Sequence, residues 1–126
     1  MKLGISLFAS LATASSLLGL VQPASAQYSQ VCGKNNGAYV AQYKLTVGGR
    51  DTGFSGGTSA GFTKCYSASD AWGTNPVPAN STFTLRVKAK GGYEKNCSPE
   101  SQKYSATGGT MTYKSGGTTL NVNCQQ

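Results

Sequence analysis

The sequence contains no histidine, a single tryptophan and only four acidic residues, and it has no second long apolar run after its first two dozen residues. Without histidine, the side chain that titrates near neutral pH is missing both as a general base and as a metal ligand. The acids, Asp51, Asp70, Glu94 and Glu100, are scattered without the spacing of a catalytic carboxylate pair, and only folding could bring Asp70 to Glu94. No C-x-x-C pair is present. These absences point away from an enzyme, a zinc site or a cofactor.

What the chain does have begins with a leader. Met1-Lys2 gives a positive start, residues 3 to 21 are apolar or small and uncharged, and Ala24-Ser25-Ala26 fits an A-x-A cleavage signal. Residues 1–26 are therefore expected to be a signal peptide and residues 27–126 a single exported, extracellular domain. A retained membrane helix is the less favoured reading, because the apolar core is short. Lys and Arg number eleven, one of them Lys2 in the leader, so the exported body is strongly basic. That charge suits an anionic surface, but no nucleic-acid recognition motif accompanies it, and nucleic acid is not an expected partner.

All four cysteines, Cys32, Cys65, Cys97 and Cys124, fall in the exported part. An even count in a short exported chain predicts up to two disulfides. Three pairings are open. A Cys32–Cys124 bridge would enclose most of the chain and contribute roughly 4 to 5 kcal/mol by loop-closure entropy.

The hydrophobic periodicity is that of strands. Tyr39, Ala41, Tyr43, Leu45 and Val47 alternate with Gln42, Lys44 and Thr46, and Phe83, Leu85, Val87 and Ala89 alternate with Thr84, Arg86, Lys88 and Lys90. Shorter strands are expected over 58–65, 102–106, 110–114 and 118–124, separated by glycine pairs and Asn75-Pro76. Gly116-Gly117 is expected to turn the last hairpin and leave Thr118, Thr119 and Leu120 at or beside its tip. The expected fold is all-β, an Ig-like antiparallel β-sandwich in preference to a small barrel.

Three islands of sequence, in order, resemble the C-terminal β-sandwich domain of the cholesterol-dependent (thiol-activated) cytolysins. They are Gly37-Ala38-Tyr39-Val40-Ala41-Gln42-Tyr43, Leu85-Arg86-Val87-Lys88, and Gly117-Thr118-Thr119-Leu120. In that family the Thr-Leu pair of the last loop recognises cholesterol, so the resemblance implies sterol or membrane contact through Gly117, Thr118, Thr119 and Leu120. The family's tryptophan-rich undecapeptide is absent: residues 89–97 hold its place with Tyr93 and no tryptophan, and Gly116 stands where the family has Trp before Gly-Thr-Thr-Leu. Nothing in the exported part corresponds to the pore-forming domains. The resemblance therefore implies a stand-alone secreted recognition module.

Each candidate has an ordinary structural alternative. Leu120 shares strand parity with Val122 and Cys124, so all three can face the core. Arg86, Lys88 and Lys90, continued by Lys95, can meet anionic lipid or an acidic glycan, or can be a solvated strand face that discourages aggregation. Tyr66, Trp72 and Tyr93 are expected in loops, where aromatics stack on carbohydrate or anchor at an interface, although Trp72 equally suits a plug over one end of the core. Asn80-Ser81-Thr82 is an N-glycosylation sequon if the source is eukaryotic. Two functional classes follow: a module binding a membrane surface, sterol or anionic lipid, and an interaction protein binding a glycan or protein ligand through the same loops.

Overall fold

The computed structural model describes residues 26–126, and the expected leader up to Ser25 lies outside the described residues. Within them the chain forms strands β1 (Gln27–Asn35), β2 (Ala41–Val47), β3 (Arg50–Asp51), β4 (Thr63–Ser67), β5 (Thr82–Ala89), β6 (Glu94–Asn96), β7 (Gln102–Tyr104), β8 (Gly109–Thr118) and β9 (Asn121–Gln125). A single 3-10 turn, Ala68–Ala71, is the only helical element among the described residues. The all-β class and both disulfides expected from the sequence are present.

The strand order is β3-β2-β5-β7-β1-β8-β9, with β4 added to β1 and β6 to β5. β2 pairs with β5 from Ala41↔Ala89 to Val47↔Phe83, which aligns Ala41, Tyr43, Leu45 and Val47 with Ala89, Val87, Leu85 and Phe83 on one buried face. The second layer is built on β1, flanked by β4 and by the β8–β9 hairpin, and it supplies Val31, Met111, Tyr113, Val122 and Cys124 to the same core. The short β7 pairs with both β5 and β1 and so connects the layers. β1 runs parallel to β7 and β8, so the sheet is mixed, with antiparallel pairing elsewhere.

β1 lacks a sequence signature for a physical reason. Its inward positions are Val31, Gly33 and Asn35, only one of them a large apolar residue. Gly33 lies beneath the ring of Tyr43, where a Cβ would collide with Cδ1, Cε1 and Cζ. Asn35 is fully buried, donates from Nδ2 to the carbonyls of Tyr39 and Thr58, and accepts from the Gly37 amide through Oδ1 at 2.9 Å. Its polar groups are thus matched by backbone, which removes the penalty of burying them.

The disulfides are Cys32–Cys65 and Cys97–Cys124. The first joins residues directly opposite each other on β1 and β4; the second ties the segment after β6 to β9, with both of its cysteines buried in the core. The Cys32–Cys124 possibility is thereby excluded. The enclosed loops, 33 and 27 residues in separation, correspond to about 3 to 4 kcal/mol each by loop-closure entropy.

Two measurements test this packing. Gly33→Ala forces the Tyr43 ring to move and should lower the free energy of unfolding by about 1 to 3 kcal/mol, read from the denaturant midpoint. Burial pushes the phenols of Tyr43 and Tyr113 up to about 12, against ~10 in an unfolded chain. Above pH ~10 the unfolded chain releases these protons first, so stability should hold below that pH and fall as pH rises through about 12. A phenolate absorbance titration that finds every tyrosine ionised while the fold persists at pH ~10.5 would contradict it.

Candidate functional site at the Leu120 end

The strand directions gather four connections at one end of the sandwich: β1–β2, β3–β4, β5–β6 and β8–β9. The last of these is not turned by Gly116-Gly117. Gly116 and Gly117 pair with Asn123 and Val122 inside the hairpin, and Thr118 pairs with Asn121, which leaves Thr119 and Leu120 as the two-residue turn. The glycines serve the close approach instead. A Cβ on Gly117, at φ 88°, would strike the Asn121 carbonyl, while the β1–β2 connection runs alongside, with the Ala38 amide donating to the Gly117 carbonyl at 3.0 Å. The Tyr39 hydroxyl adds a bond to the Gly116 carbonyl at 2.9 Å.

The turn position settles the orientation of Leu120. Val122 and Cys124 face the core, whereas Leu120 has left the strand and is 70% exposed. Shared parity predicts burial only while a residue remains in the strand. Thr118 is exposed and Thr119 half-buried, while Gly117 sits back along the strand from the tip.

The β5–β6 turn leans on this tip. The Tyr93 amide donates to the Thr119 carbonyl at 2.9 Å, and Gly92 packs so tightly that a Cβ there would overlap Thr119. The Lys90 amide in turn donates to the Val40 carbonyl. Tyr93 is 63% exposed and Val40 38%. Phe62, 67% exposed, belongs to the same end, its carbonyl accepting from the Asn35 amide at the end of β1. Every exposed large apolar side chain among the described residues thus stands at this end of the fold.

The basic candidates divide. Arg86 is committed, its Nε donating to Glu94 Oε1 at 2.6 Å and its Nη1 to Asn96 Oδ1 at 2.7 Å. That bond, reinforced by the nearby charges of Arg86, Lys88 and Lys44, holds the exposed Glu94 carboxyl below its ordinary pKa. Lys88 and Lys44 both lie over the ring of Phe54, with Nζ at 5.6 and 5.0 Å from its centroid. Lys90, in the turn, and Lys95, on β6, are exposed. Lys95 pairs with inward-facing Val87 and so shares that face, not the face of Arg86 and Lys88; it reaches solvent because β6 is a short edge strand.

Trp72 is not part of this end. It follows the 3-10 turn at the far end, donates from Nε1 to the Val47 carbonyl at 2.8 Å, packs on the core, and carries the Arg50 guanidinium 4.2 Å above its ring. Tyr66, expected in a loop, is a buried residue of β4, and its hydroxyl donates to the Tyr43 carbonyl at 2.9 Å. Asp70 and Glu94 do not converge: Asp70 accepts from the Ser67 amide at the Trp72 end, while Glu94 is bound to Arg86. Residues 53–57 and 57–61 each match the Gly-x-Ser-x-Gly spacing of a nucleophile elbow. Neither lies on a strand entering a helix, and Ser55 instead accepts from the Tyr43 amide through Oγ, beside no histidine.

No protein-family model matches the chain. No curated protein matches it either. Among solved structures it is similar to a pneumolysin structure at 1.98 Å resolution, with 17% identity and a TM-score of 0.43, over 76% of this chain and 22% of that one. A wild-type pneumolysin crystal structure aligns over the same shares with 18% identity and a TM-score of 0.41. A non-hemolytic pneumolysin from Streptococcus pneumoniae strain ST306 does so with 18% identity and a TM-score of 0.39. The chain therefore spans about a fifth of the length of these proteins.

The contrast between neighbouring hairpin residues is measurable. Leu120→Ala should leave unfolding free energy within about 0.5 kcal/mol of the parent, because the side chain is already in water. Val122→Ala, two residues away, should cost about 2 kcal/mol through lost burial and a residual cavity. Equal losses in thermal or denaturant unfolding would mean that Leu120 packs in the core.

Proposed function

We propose that this protein is a secreted, non-enzymatic membrane-recognition module that meets a sterol-containing bilayer with its Leu120 end. The observation that carries the proposal is the segregation of exposed apolar side chains: Leu120, Tyr93, Phe62 and Val40 stand together on loops at one end, and none is exposed elsewhere among the described residues. Scattered exposed apolar residues need no explanation, but a cluster on protruding loops marks a surface that spends time out of water. Complete burial of a leucine or phenylalanine side chain contributes roughly 1.5 to 3 kcal/mol, so this end supplies enough for reversible association and too little for permanent insertion.

Sterol enters through the Thr119-Leu120 turn. A threonine hydroxyl can hydrogen-bond a sterol hydroxyl while an adjacent exposed leucine lies against the ring system, and residues 117–120 carry the Gly-Thr-Thr-Leu that resembles the cytolysin loop. The sterol reading depends on that resemblance; the membrane reading depends on the exposed apolar end. The two disulfides and the composition favour export, where such a surface would be encountered.

The alternative class, a glycan or protein ligand, finds most support at Tyr93, an exposed aromatic at the same end. Sedimentation of the mature protein with vesicles separates the readings. Phosphatidylcholine–cholesterol vesicles should retain it more than phosphatidylcholine alone, and Thr119→Ala with Leu120→Ala should abolish the difference. Equal retention with and without sterol would remove the sterol claim, and no retention on any vesicle, with capture on a glycan array lost in Tyr93→Ala, would favour the alternative.

A further inference from the structure

We propose that the Leu120 end is suited to a negatively charged bilayer, with Lys90 and Lys95, on opposite faces of the β5–β6 hairpin that adjoins the apolar tip, meeting anionic phospholipid headgroups. The inference rests on the membrane reading above and adds the class of lipid.

Its basis is the placement of charge around one small structure. The tip itself, Thr118 to Asn121, is uncharged, and the turn holding Lys90 is bound to it through the Tyr93 amide and the Thr119 carbonyl at 2.9 Å. Lys90 follows β5 on the parity of Lys88, whereas Lys95 takes the face of Val87 at the sheet edge. The two ammonium groups therefore belong to opposite faces of the same hairpin, and both are exposed. Glu94 is the acid nearest to them, and its Oε1 is held 2.6 Å from Arg86 Nε, so Lys90 and Lys95 remain unneutralised.

The other acids are remote from the tip. Asp51 on β3 and Asp70 in the 3-10 turn stand at the opposite end, and Glu100, in the β6–β7 connection, accepts from Asn96. Lys90 and Lys95 therefore put unneutralised positive charge beside the apolar end. A bilayer with anionic headgroups answers both features at once, because apolar contact alone gives marginal attachment and a basic cluster within a Debye length, ~10 Å, of the surface supplies a second attraction. A soluble polyanion would satisfy the lysines and leave Leu120, Tyr93 and Val40 in water.

The test sediments the mature, disulfide-bonded protein with four vesicle compositions: phosphatidylcholine alone, with phosphatidylserine, with cholesterol, and with both. Phosphatidylserine should raise the partition coefficient with or without cholesterol, and added salt should reverse the gain. Lys90→Gln and Lys95→Gln should each reduce partition to phosphatidylserine vesicles about fivefold while leaving neutral vesicles unaffected. Leu120→Ala should weaken binding to both. Equal partition to neutral and anionic vesicles, or lysine variants indistinguishable from the parent, would overturn the anionic-lipid inference while leaving the membrane reading standing. Retention on immobilised heparin without sedimentation on anionic vesicles would overturn it in favour of a polyanion, and absence of binding to every vesicle would overturn both.

Discussion

The rest of the structure depends on the way Tyr43 is enclosed. Its ring occupies the space that Gly33 leaves open on β1, its hydroxyl bonds Ser115 Oγ on β8 at 2.7 Å, and its carbonyl accepts from the Tyr66 hydroxyl on β4. One side chain of β2 therefore fixes the separation of the two layers and the alignment of three strands in the opposite one. The same carbonyl also accepts from the Ser55 amide, which holds the β3–β4 connection along the edge of β2. A buried phenol is favourable only while its hydroxyl is matched. Here it meets Ser115, itself almost fully buried, so the polar contact specifies which strands face each other and the apolar burial supplies the driving force.

From that alignment the Leu120 end follows. With Ser115 held against Tyr43 and paired with Asn35, the remaining residues of β8 run past the end of β1, and the β1–β2 connection continues the pairing along them through Ala38. The hairpin then reverses at Thr119-Leu120 and rests on the β5–β6 turn. Cys97–Cys124 anchors the return strand to the segment after β6. The tip is thus supported by backbone bonds and a covalent link, while the side chains it presents remain free of the core. For the membrane contact proposed above, such an arrangement keeps the ordering entropy lost on binding small.

The opposite end uses its residues differently. Trp72 is an anchor for the fold, with its indole N–H satisfied by Val47 and its face covered by Arg50. Two aromatic residues predicted from loop position thus have unlike roles: Trp72 closes one end of the core, and Tyr93 stands in solvent at the other. Local sequence gives no means of separating them, since both lie beside glycines and polar residues. The division among the basic residues has the same origin. Arg86 is occupied because Glu94 and Asn96 arrive across the strand, and Lys95 leaves the face of Lys88 because of the register of β6.

The sequence by itself determined the all-β class, the paired strands β2 and β5 with their buried faces, and the participation of four cysteines in bridges. Period-two alternation and cysteine count are local quantities, set by the pleat and by the redox chemistry of the chain. The β-propensity runs flanking Gly116-Gly117 likewise put Thr118, Thr119 and Leu120 at or beside a hairpin tip. Only the tertiary structure decided which cysteines pair, that β1 lies parallel to β8 with glycine and asparagine at inward positions, and that the hairpin turns at Thr119-Leu120 instead of at its glycines. Each of these depends on what arrives from a distant part of the chain: a tyrosine ring over Gly33, backbone partners for Asn35, and the Asn121 carbonyl against Gly117. Whether Leu120 continues the core or leaves it was such a question, and it turned on a difference of two or three residues in where the strand ends.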